Sequence, residues 1–257
     1  RKKMPEVIVV MPDGMTRYGG SQYLNSSATG RYCDHLIKEL IPYIDRTFRT
    51  LGNSASRAVM GKSSGGYGAL RLAMAHPETF GAAACHSGDM NFDLCYSVDF
   101  PPASRVLERH DFSLKKFFTS YEAAPKKPRD GFPLINMIGM AAAYSPNPKK
   151  KFPENYDLPF DPYTCEKIPA VWKKWLSNDP IHLIGQKENR QALKQLNLLF
   201  IDCGTNDEYH LQFGARLFSQ KLKKLGITHI HEEFPDSHSD TAYRYDVSLP
   251  LIAEAIS

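Results

Sequence analysis

Short apolar runs rich in β-branched residues alternate with segments of helical periodicity over most of this sequence, and no other feature restricts its fold as strongly. The predicted strands cover residues 6–11, 57–60, 80–85, 198–202 and 229–234, and the predicted helices cover 32–48, 67–76, 211–225 and a last segment from about residue 247. Strands that alternate with helices in this way are typical of a parallel sheet covered by helices on both faces. We therefore expect an α/β fold.

The middle of the chain departs from this alternation. Residues 101–180 hold 12 of the 18 prolines and 13 Lys and Arg against 9 Asp and Glu, so their surplus of +4 equals that of the whole chain. We therefore predict an α/β body formed by residues 1–100 and 181–257, with an insertion at 101–180. An apolar helix at 134–144 and the nearby Trp172 would suit a cap over a pocket. A satellite packing layer that does not touch substrate is an equally open interpretation.

Residues 61–65 carry the sequence Gly-Lys-Ser-Ser-Gly, which fits the pattern G-x-S-x-G. The pattern follows a predicted strand directly and precedes a predicted helix directly. This is the context of a nucleophile elbow, a sharp turn that holds a serine in a strained conformation with its hydroxyl group exposed. The sequence therefore predicts Ser63 as a catalytic nucleophile.

A phosphate-binding loop is the rival interpretation of the same residues. Gly-Lys-Ser at 61–63 matches the second half of G-x-x-x-x-G-K-[ST], a motif that also lies between a strand and a helix. The first glycine of that motif would fall at position 56, which is Ser56. Residues 57–60 are also predicted to form a strand, which cannot wrap a phosphate. The elbow is the favoured interpretation.

A serine hydroxyl needs a histidine to accept its proton and an acid to orient that histidine. In α/β folds with this elbow the acid comes first along the chain, then the histidine, each in a loop after a later strand. Asp207 follows the predicted strand 198–202, and His238 follows the predicted strand 229–234. Asp207 is preferred as the acid because it lies beyond the strand, whereas Asp202 lies within it. Asp202 and Glu208 are the weaker candidates.

The other histidines give weaker indications of a catalytic or metal-binding role. His86 ends a predicted strand but precedes the acid in sequence, so pocket lining or plain packing is favoured over a role as general base. His229 and His231 share a face of one strand and, with His238, raise the alternative of a metal site. No carboxylate cluster or cysteine completes that ligand set, so we expect no metal and no organic cofactor.

Composition narrows the range of partners and compartments. A net charge of +4 from 32 basic and 28 acidic side chains is too small to imply nucleic acid. No apolar run approaches the roughly 18 residues of a membrane span, and residues 1–5 lead into no signal-peptide pattern. The five cysteines show no C-x-x-C pairing and are expected to be free thiols, mostly buried: Cys33, Cys85, Cys95, Cys165 and Cys203. They mildly favour a reducing cytoplasmic compartment. A secreted protein whose signal was removed, and a homo-oligomer, both stay open.

Several longer runs of the sequence resemble those of a known family. They are Val-Val-Met-Pro-Asp-Gly at 9–14, Gly-Ser-Gln-Tyr-Leu-Asn-Ser at 20–26, Leu-Ile-Pro-Tyr-Ile-Asp at 40–45, Gly-Lys-Ser-Ser-Gly-Gly-Tyr-Gly-Ala-Leu at 61–70, Asp-Cys-Gly-Thr-Asn-Asp-Glu at 202–208 and Glu-Glu-Phe-Pro-Asp-Ser-His-Ser at 232–239. Together they resemble the putative esterase family of α/β-hydrolases. That family includes esterase D (S-formylglutathione hydrolase), feruloyl and acetylxylan esterases, and the mycolyltransferases. The likeness covers nearly everything except the middle insertion.

The resemblance implies an α/β-hydrolase fold in which Ser63, Asp207 and His238 are the nucleophile, acid and base. Ser64 stands where many members carry methionine, and its backbone N–H would be one oxyanion donor. In the family several strands precede the one expected at residues 6–11, and an earlier loop supplies the second donor. We therefore expect the N-terminal strands of the fold to be missing from this chain, and the second donor stays unassigned.

The function that follows is hydrolysis of small-molecule carboxylic esters through an acyl-enzyme. A thioesterase of the S-formylglutathione type and an acyltransferase are the enzymatic alternatives, and a hydrolase-fold binding protein without activity is the alternative of another class. Gly14, His86 and Trp172 are the candidate pocket-lining residues.

Overall fold

The computed structural model describes residues 4–257 and divides the chain into two compact units. The first unit consists of Cys33–Leu94 and Asp179–Ser257 together with the segment that ends at Asp13. The second consists of Gly14–Tyr32 and Cys95–Asn178.

Within residues 4–257, eight strands and twelve α-helices are distributed over the two units. The strands are β1 (Met15–Thr16), β2 (Gly19–Gly20), β3 (Asn25–Ser26), β4 (Gly30–Arg31), β5 (Ala58–Lys62), β6 (Ala82–His86), β7 (Leu198–Gly204) and β8 (Ile230–Phe234). The helices are α1 (Tyr32–Asp34), α2 (Ile41–Thr47), α3 (Ser64–Ala75), α4 (Phe92–Cys95), α5 (Phe100–Glu108), α6 (Leu114–Ala123), α7 (Phe132–Tyr144), α8 (Pro169–Leu176), α9 (Pro180–Leu183), α10 (Lys187–Lys194), α11 (Leu211–Lys224) and α12 (Tyr245–Ala255). A π-helical turn, His35–Leu40, joins α1 to α2, and short 3₁₀ turns occupy Ser54–Ser56, Ser97–Asp99, Arg129–Gly131 and Ala242–Arg244.

The first unit is built on a parallel sheet of four strands in the order β5-β6-β7-β8. Ala84 in β6 lies opposite Met60 on one side and Phe200 on the other, and Phe200 in turn lies opposite Ile230. Every residue of β6 is buried, and its three alanines leave room for helices on both faces. Ala82, Ala84 and Phe200 form a core with Ile252 of α12. Because all four strands are parallel, their carboxyl ends meet at one edge of the sheet, where sites in such sheets form.

The second unit is mainly helical and carries two small antiparallel ribbons, β1-β2 and β3-β4. Helix α7 is apolar all round and buried along its last two turns, as expected for a helix enclosed by protein. Gly139 of α7 lies so close to Tyr18 that an added Cβ would be 2.8 Å from the Tyr18 carbonyl oxygen. A side chain at this position would therefore separate the two segments.

The structure confirms most of the strands and helices that the alternation predicted, with ends that differ by a few residues. The prediction of a strand at residues 6–11 is wrong, because this segment forms no strand in the structure. Its apolar side chains are largely exposed, including Val9 and Met11. An apolar β-branched run becomes a strand only where another strand pairs with it, so strand propensity depends on context.

The remaining sequence predictions concern the cysteines, the insertion and membrane spans. All five cysteines are free thiols, as expected, and Cys85, Cys95 and Cys203 are buried. Residues 101–178 of the predicted insertion belong to the second unit, which also takes in residues 14–32 and 95–100. The cap function of this region stays a prediction. Among residues 4–257 there is no helix with both the length and the apolar character needed to cross a membrane.

Candidate active site

Ser63 occupies the sharp turn between β5 and α3. Its backbone has φ 57° and ψ −124°, a conformation that is rare for any residue other than glycine. The Ser63 N–H donates to the carbonyl oxygen of His86 at 2.9 Å, and the Ser63 carbonyl oxygen accepts from the N–H of Tyr67 at 2.9 Å. The end of β6 and the first turn of α3 therefore hold the strained serine from both sides.

Glycines make this turn sterically feasible. A Cβ on Gly61 would lie 2.5 Å from the carbonyl carbon of Gly65, and a Cβ on Gly66 would lie 2.9 Å from the carbonyl oxygen of His86. Backbone thus approaches backbone where a side chain would otherwise stand. This is a physical reason for glycine at position 61 of the G-x-S-x-G pattern and at position 66 directly after the pattern.

His238 lies in the loop after β8 and connects the serine to the acid. Its Nε2 atom is 3.0 Å from Ser63 Oγ, and its Nδ1 atom is 2.8 Å from Asp207 Oδ2. The residue is 8% exposed, and the ring of Tyr209 packs edge-on against its imidazole with centroids 4.8 Å apart. Three side chains from three separate loops therefore form one continuous chain of hydrogen bonds.

Asp207 is buried in the loop after β7 and is held from several directions. Its Oδ1 atom accepts from the N–H of Tyr209 at 3.0 Å, and its Oδ2 atom faces the thiol of Cys203 at 3.7 Å as well as His238. Burial raises the pKa of the Cys203 thiol, so this group stays protonated and can donate to the carboxylate. These contacts fix the carboxylate so that it faces Nδ1 of the histidine.

The two weaker acid candidates have other partners. Asp202 Oδ1 lies 2.7 Å from Nδ1 of His86, whereas Nδ1 of His238 faces Asp207. Glu208 accepts the backbone N–H of His238 at 2.9 Å through Oε2. This contact of Glu208 was not predicted from the sequence, because a backbone partner thirty positions away leaves no pattern in the side chains.

Ser64 is the first residue of α3. The N–H groups of the first helical turn have no acceptor within the helix, and the positive end of the helix dipole lies with them. The Ser64 N–H therefore belongs to a set of donors suited to an anion formed next to Ser63.

The three candidate pocket residues lie in different surroundings. His86 is buried, with Nδ1 bonded to Asp202 and Nε2 bonded to Ser248. Gly14 and Trp172 belong to the second unit, where Trp172 packs edge-on against Phe100 with the rings 5.7 Å apart. Their role as pocket lining stays a prediction.

The alternative of a histidine metal site has no support in the described part of the chain. His229 Nε2 lies 2.7 Å from Ser219 Oγ, and its Nδ1 lies 3.0 Å from the carbonyl oxygen of Ile227. Within residues 4–257, no three or more His, Cys, Asp or Glu side chains are grouped so that they could hold a metal ion.

Comparison with known proteins places this chain in a family. Residues 1–251 match the model of the family described as Putative esterase. The chain belongs to this family. Among curated members, Esterase Rv1288 of Mycobacterium tuberculosis (strain ATCC 25618 / H37Rv) is 27% identical over 237 residues, which cover 90% of this chain and 41% of the relative. The chain thus spans about two fifths of the length of the curated esterases that it matches.

Solved structures of esterases share the fold of this chain. A ferulic acid esterase superposes with a TM-score of 0.53 at 17% identity, covering 91% of this chain and 64% of that protein. An S-formylglutathione hydrolase from Agrobacterium tumefaciens superposes with a TM-score of 0.53 at 16% identity, covering 99% of this chain and 71% of that protein. This member of the Putative esterase family has the α/β-hydrolase fold.

Proposed function

We propose that this chain is a serine hydrolase of carboxylic esters, with Ser63 as nucleophile, His238 as general base and Asp207 as the acid that orients the histidine. The observation that carries the proposal is the hydrogen-bonded chain Ser63–His238–Asp207, with separations of 3.0 and 2.8 Å, at a strained turn that follows a strand. Membership of the esterase family supports it.

Acylation begins with proton transfer from Ser63 Oγ to His238 Nε2 as the oxygen attacks the acyl carbon of the ester. The serine hydroxyl is a weak nucleophile without this transfer, because almost none of it is ionised at neutral pH. Asp207 accepts the Nδ1 hydrogen bond, which keeps the correct tautomer before the transfer and stabilises the imidazolium after it. The imidazolium then gives its proton to the departing alkoxide, so an alcohol leaves and Ser63 carries the acyl group.

The tetrahedral intermediate places negative charge on the former carbonyl oxygen of the ester. Backbone N–H groups aimed at that position stabilise the charge without moving, and removing one such donor costs about 100-fold or more in rate. The N–H of Ser64 is the donor we assign. Its place in the first turn of α3 adds the favourable end of the helix dipole.

Deacylation repeats the same steps with water. His238 takes a proton from a water molecule that attacks the acyl carbon, and then returns a proton to Ser63 Oγ as the carboxylic acid leaves. The same acyl-enzyme could be cleaved by an acceptor other than water, and it could be formed from a thioester. The residues of the triad are the same in each case.

A fluorophosphonate probe tests the proposal directly. Wild-type protein is expected to form one covalent adduct, located at Ser63 by peptide mass spectrometry, and to hydrolyse p-nitrophenyl acetate. Ser63→Ala should abolish both, while the exposed Ser177→Ala should change neither. Lack of labelling in a cooperatively folded wild-type protein would contradict the proposal and would favour a binding protein without activity. A panel of p-nitrophenyl, feruloyl and S-formylglutathione substrates then separates esters from thioesters.

A further inference from the structure

A second set of serine, histidine and aspartate lies beside the candidate active site. His86 Nδ1 is 2.7 Å from Asp202 Oδ1, and His86 Nε2 is 2.9 Å from Ser248 Oγ. In the neutral tautomer with the proton on Nδ1, the ring donates to Asp202 and accepts from the Ser248 hydroxyl group. The atoms and distances thus repeat those of the triad.

This second set cannot act on a substrate. Ser248 is 0% exposed and lies within α12, while the rings of Phe200 and Tyr245 enclose the imidazole at centroid distances of 5.6 and 5.0 Å. A nucleophile without access to solvent has no route to an acyl carbon. The arrangement is therefore a closed network inside the fold.

Charged groups complete the network on the side of Asp202. Its Oδ2 atom accepts from Arg244 Nε at 2.8 Å, and the same guanidinium donates through Nη2 to Glu232. The network thereby joins β6, β7, β8 and the turn before α12. Buried polar groups that are fully paired in this way make a region rigid and define one arrangement of it.

The backbone of the same residues holds the nucleophile turn. The carbonyl oxygen of His86 accepts the N–H of Ser63 at 2.9 Å, and the carbonyl oxygen of Asp202 accepts the N–H of Ser87 at 2.8 Å. The end of β6 is therefore held by the ring hydrogen bonds of His86 and by the backbone hydrogen bond from Ser87 to β7. Any shift of His86 would move the acceptor that holds Ser63 in its strained conformation.

We propose that His86 is a positioning residue for Ser63, acting through its own carbonyl oxygen, and that Asp202 and Ser248 hold its ring in place for that purpose. The inference rests on the proposed function, since it assigns a role in placing the nucleophile of that reaction. A small displacement of a reacting atom costs about 100-fold in rate. The effect should therefore be seen in kcat and in the reactivity of Ser63, with little change in KM.

The experiment compares three variants of the network with two controls. His86→Leu removes both ring hydrogen bonds, His86→Asn keeps a donor near the position of Nδ1, and Ser248→Ala removes the contact with α12. The exposed His35→Asn controls for loss of a histidine, and the buried Leu222→Ala controls for loss of stability alone. For each, kcat and KM for p-nitrophenyl acetate, the fluorophosphonate labelling rate at Ser63 and the melting temperature are measured.

His86→Leu is expected to lose about 100-fold in kcat and in labelling rate, and His86→Asn and Ser248→Ala about tenfold each, with KM within twofold of wild type. If kcat is partly restored in His86→Asn relative to His86→Leu, the effect comes from positioning and not from a general loss of stability. Leu222→Ala should lower the melting temperature without changing kcat. If His86→Asn and Ser248→Ala fold and keep the wild-type kcat and labelling rate, the inference is overturned. If wild-type protein itself is not labelled, the proposed function fails and the inference fails with it.

Discussion

Two sets of serine, histidine and aspartate stand side by side in the first unit, and their hydrogen-bond distances are nearly the same. Ser63, His238 and Asp207 are joined at 3.0 and 2.8 Å, while Ser248, His86 and Asp202 are joined at 2.9 and 2.7 Å. Ser63 is only partly buried and sits at φ 57°, whereas Ser248 is enclosed within a helix. Residue types and distances alone therefore do not define an active site, because access and the conformation of the nucleophile separate the two sets.

The two acids differ as well. Asp202 is bonded to the cation of Arg244 in addition to His86, so its charge is balanced within the fold. Asp207 has a backbone N–H, a thiol and His238 as partners, and in the part of the chain that the structure describes no Lys or Arg forms an ion pair with it. Its charge thus remains to stabilise an imidazolium, which is the state that the proposed reaction creates.

The largest expected effect is on kcat and distinguishes the role of His238 from that of His86. His238→Ala should lower kcat for p-nitrophenyl acetate by about a millionfold, because a serine hydrolase that loses its base loses nearly the whole contribution of the triad. The loss is measured with a single-turnover assay against the Ser63→Ala background rate. A decrease no larger than that of His86→Asn would show that the roles of His86 and His238 have been assigned the wrong way round.

The next effect separates the two acids by activity. Asp207→Asn should lower kcat by about 10,000-fold with little change in KM, since the amide favours the wrong tautomer of His238 and gives no charge to balance the imidazolium. Circular dichroism verifies that the variant is folded before its kinetics are compared. Activity within tenfold of wild type would mean that Asp207 is not the acid of the reaction.

A third effect separates the same acids by stability. Asp202→Asn should destabilise the protein by about 1.5 to 3 kcal/mol in urea unfolding, because the charge-assisted hydrogen bond from Arg244 Nε is weakened while Glu232 still pairs with the same guanidinium. The exposed Asp240→Asn is the matched control and should remain close to wild type. A stability loss below about 1 kcal/mol would indicate that the network around His86 is dispensable for the fold.

Periodicity and motif order were sufficient to predict the four strands of the central sheet. They also predicted that the three side chains of the candidate site lie close together. Ser63 followed from the strand-turn-helix context, and His238 and Asp207 followed from their places after later strands. The second network could not be predicted in this way. Its members Asp202 and Ser248 are 116 and 162 positions from His86, so their meeting depends on strand register and on how α12 packs.

Two other features show the same limit. The apolar run at residues 6–11 carries every local sign of a strand but forms none, because pairing is decided by neighbours and not by propensity. Strands β1 to β4 are two residues each and are too short to leave a periodic pattern. Local sequence patterns thus identify the strands and helices that pack around the core. The short strands and the side-chain networks depend on contacts between residues that are far apart in the sequence.

The smallest predicted effect concerns how each histidine is held. His86 is part of β6 and its backbone is fixed by the ladder of the sheet, whereas His238 lies in a loop and its N–H is held by the carboxylate of Glu208 at 2.9 Å. Because Glu208 is exposed, losing this hydrogen bond should cost no more than about 1.5 kcal/mol. Glu208→Ala is therefore expected to lower kcat by about tenfold at most.

Glu208→Gln provides the matched comparison, because its amide oxygen can still accept the N–H of His238. The glutamine variant should stay within about threefold of wild type in kcat, and the exposed Glu188→Gln should be unchanged. Equal losses in Glu208→Ala and Glu208→Gln would assign the effect to the negative charge near His238 instead of to the hydrogen bond. The backbone N–H of the loop histidine is thus held by one exposed carboxylate, whereas the backbone of the strand histidine is held by the sheet, so the weaker backbone restraint belongs to the residue that exchanges protons in the proposed reaction.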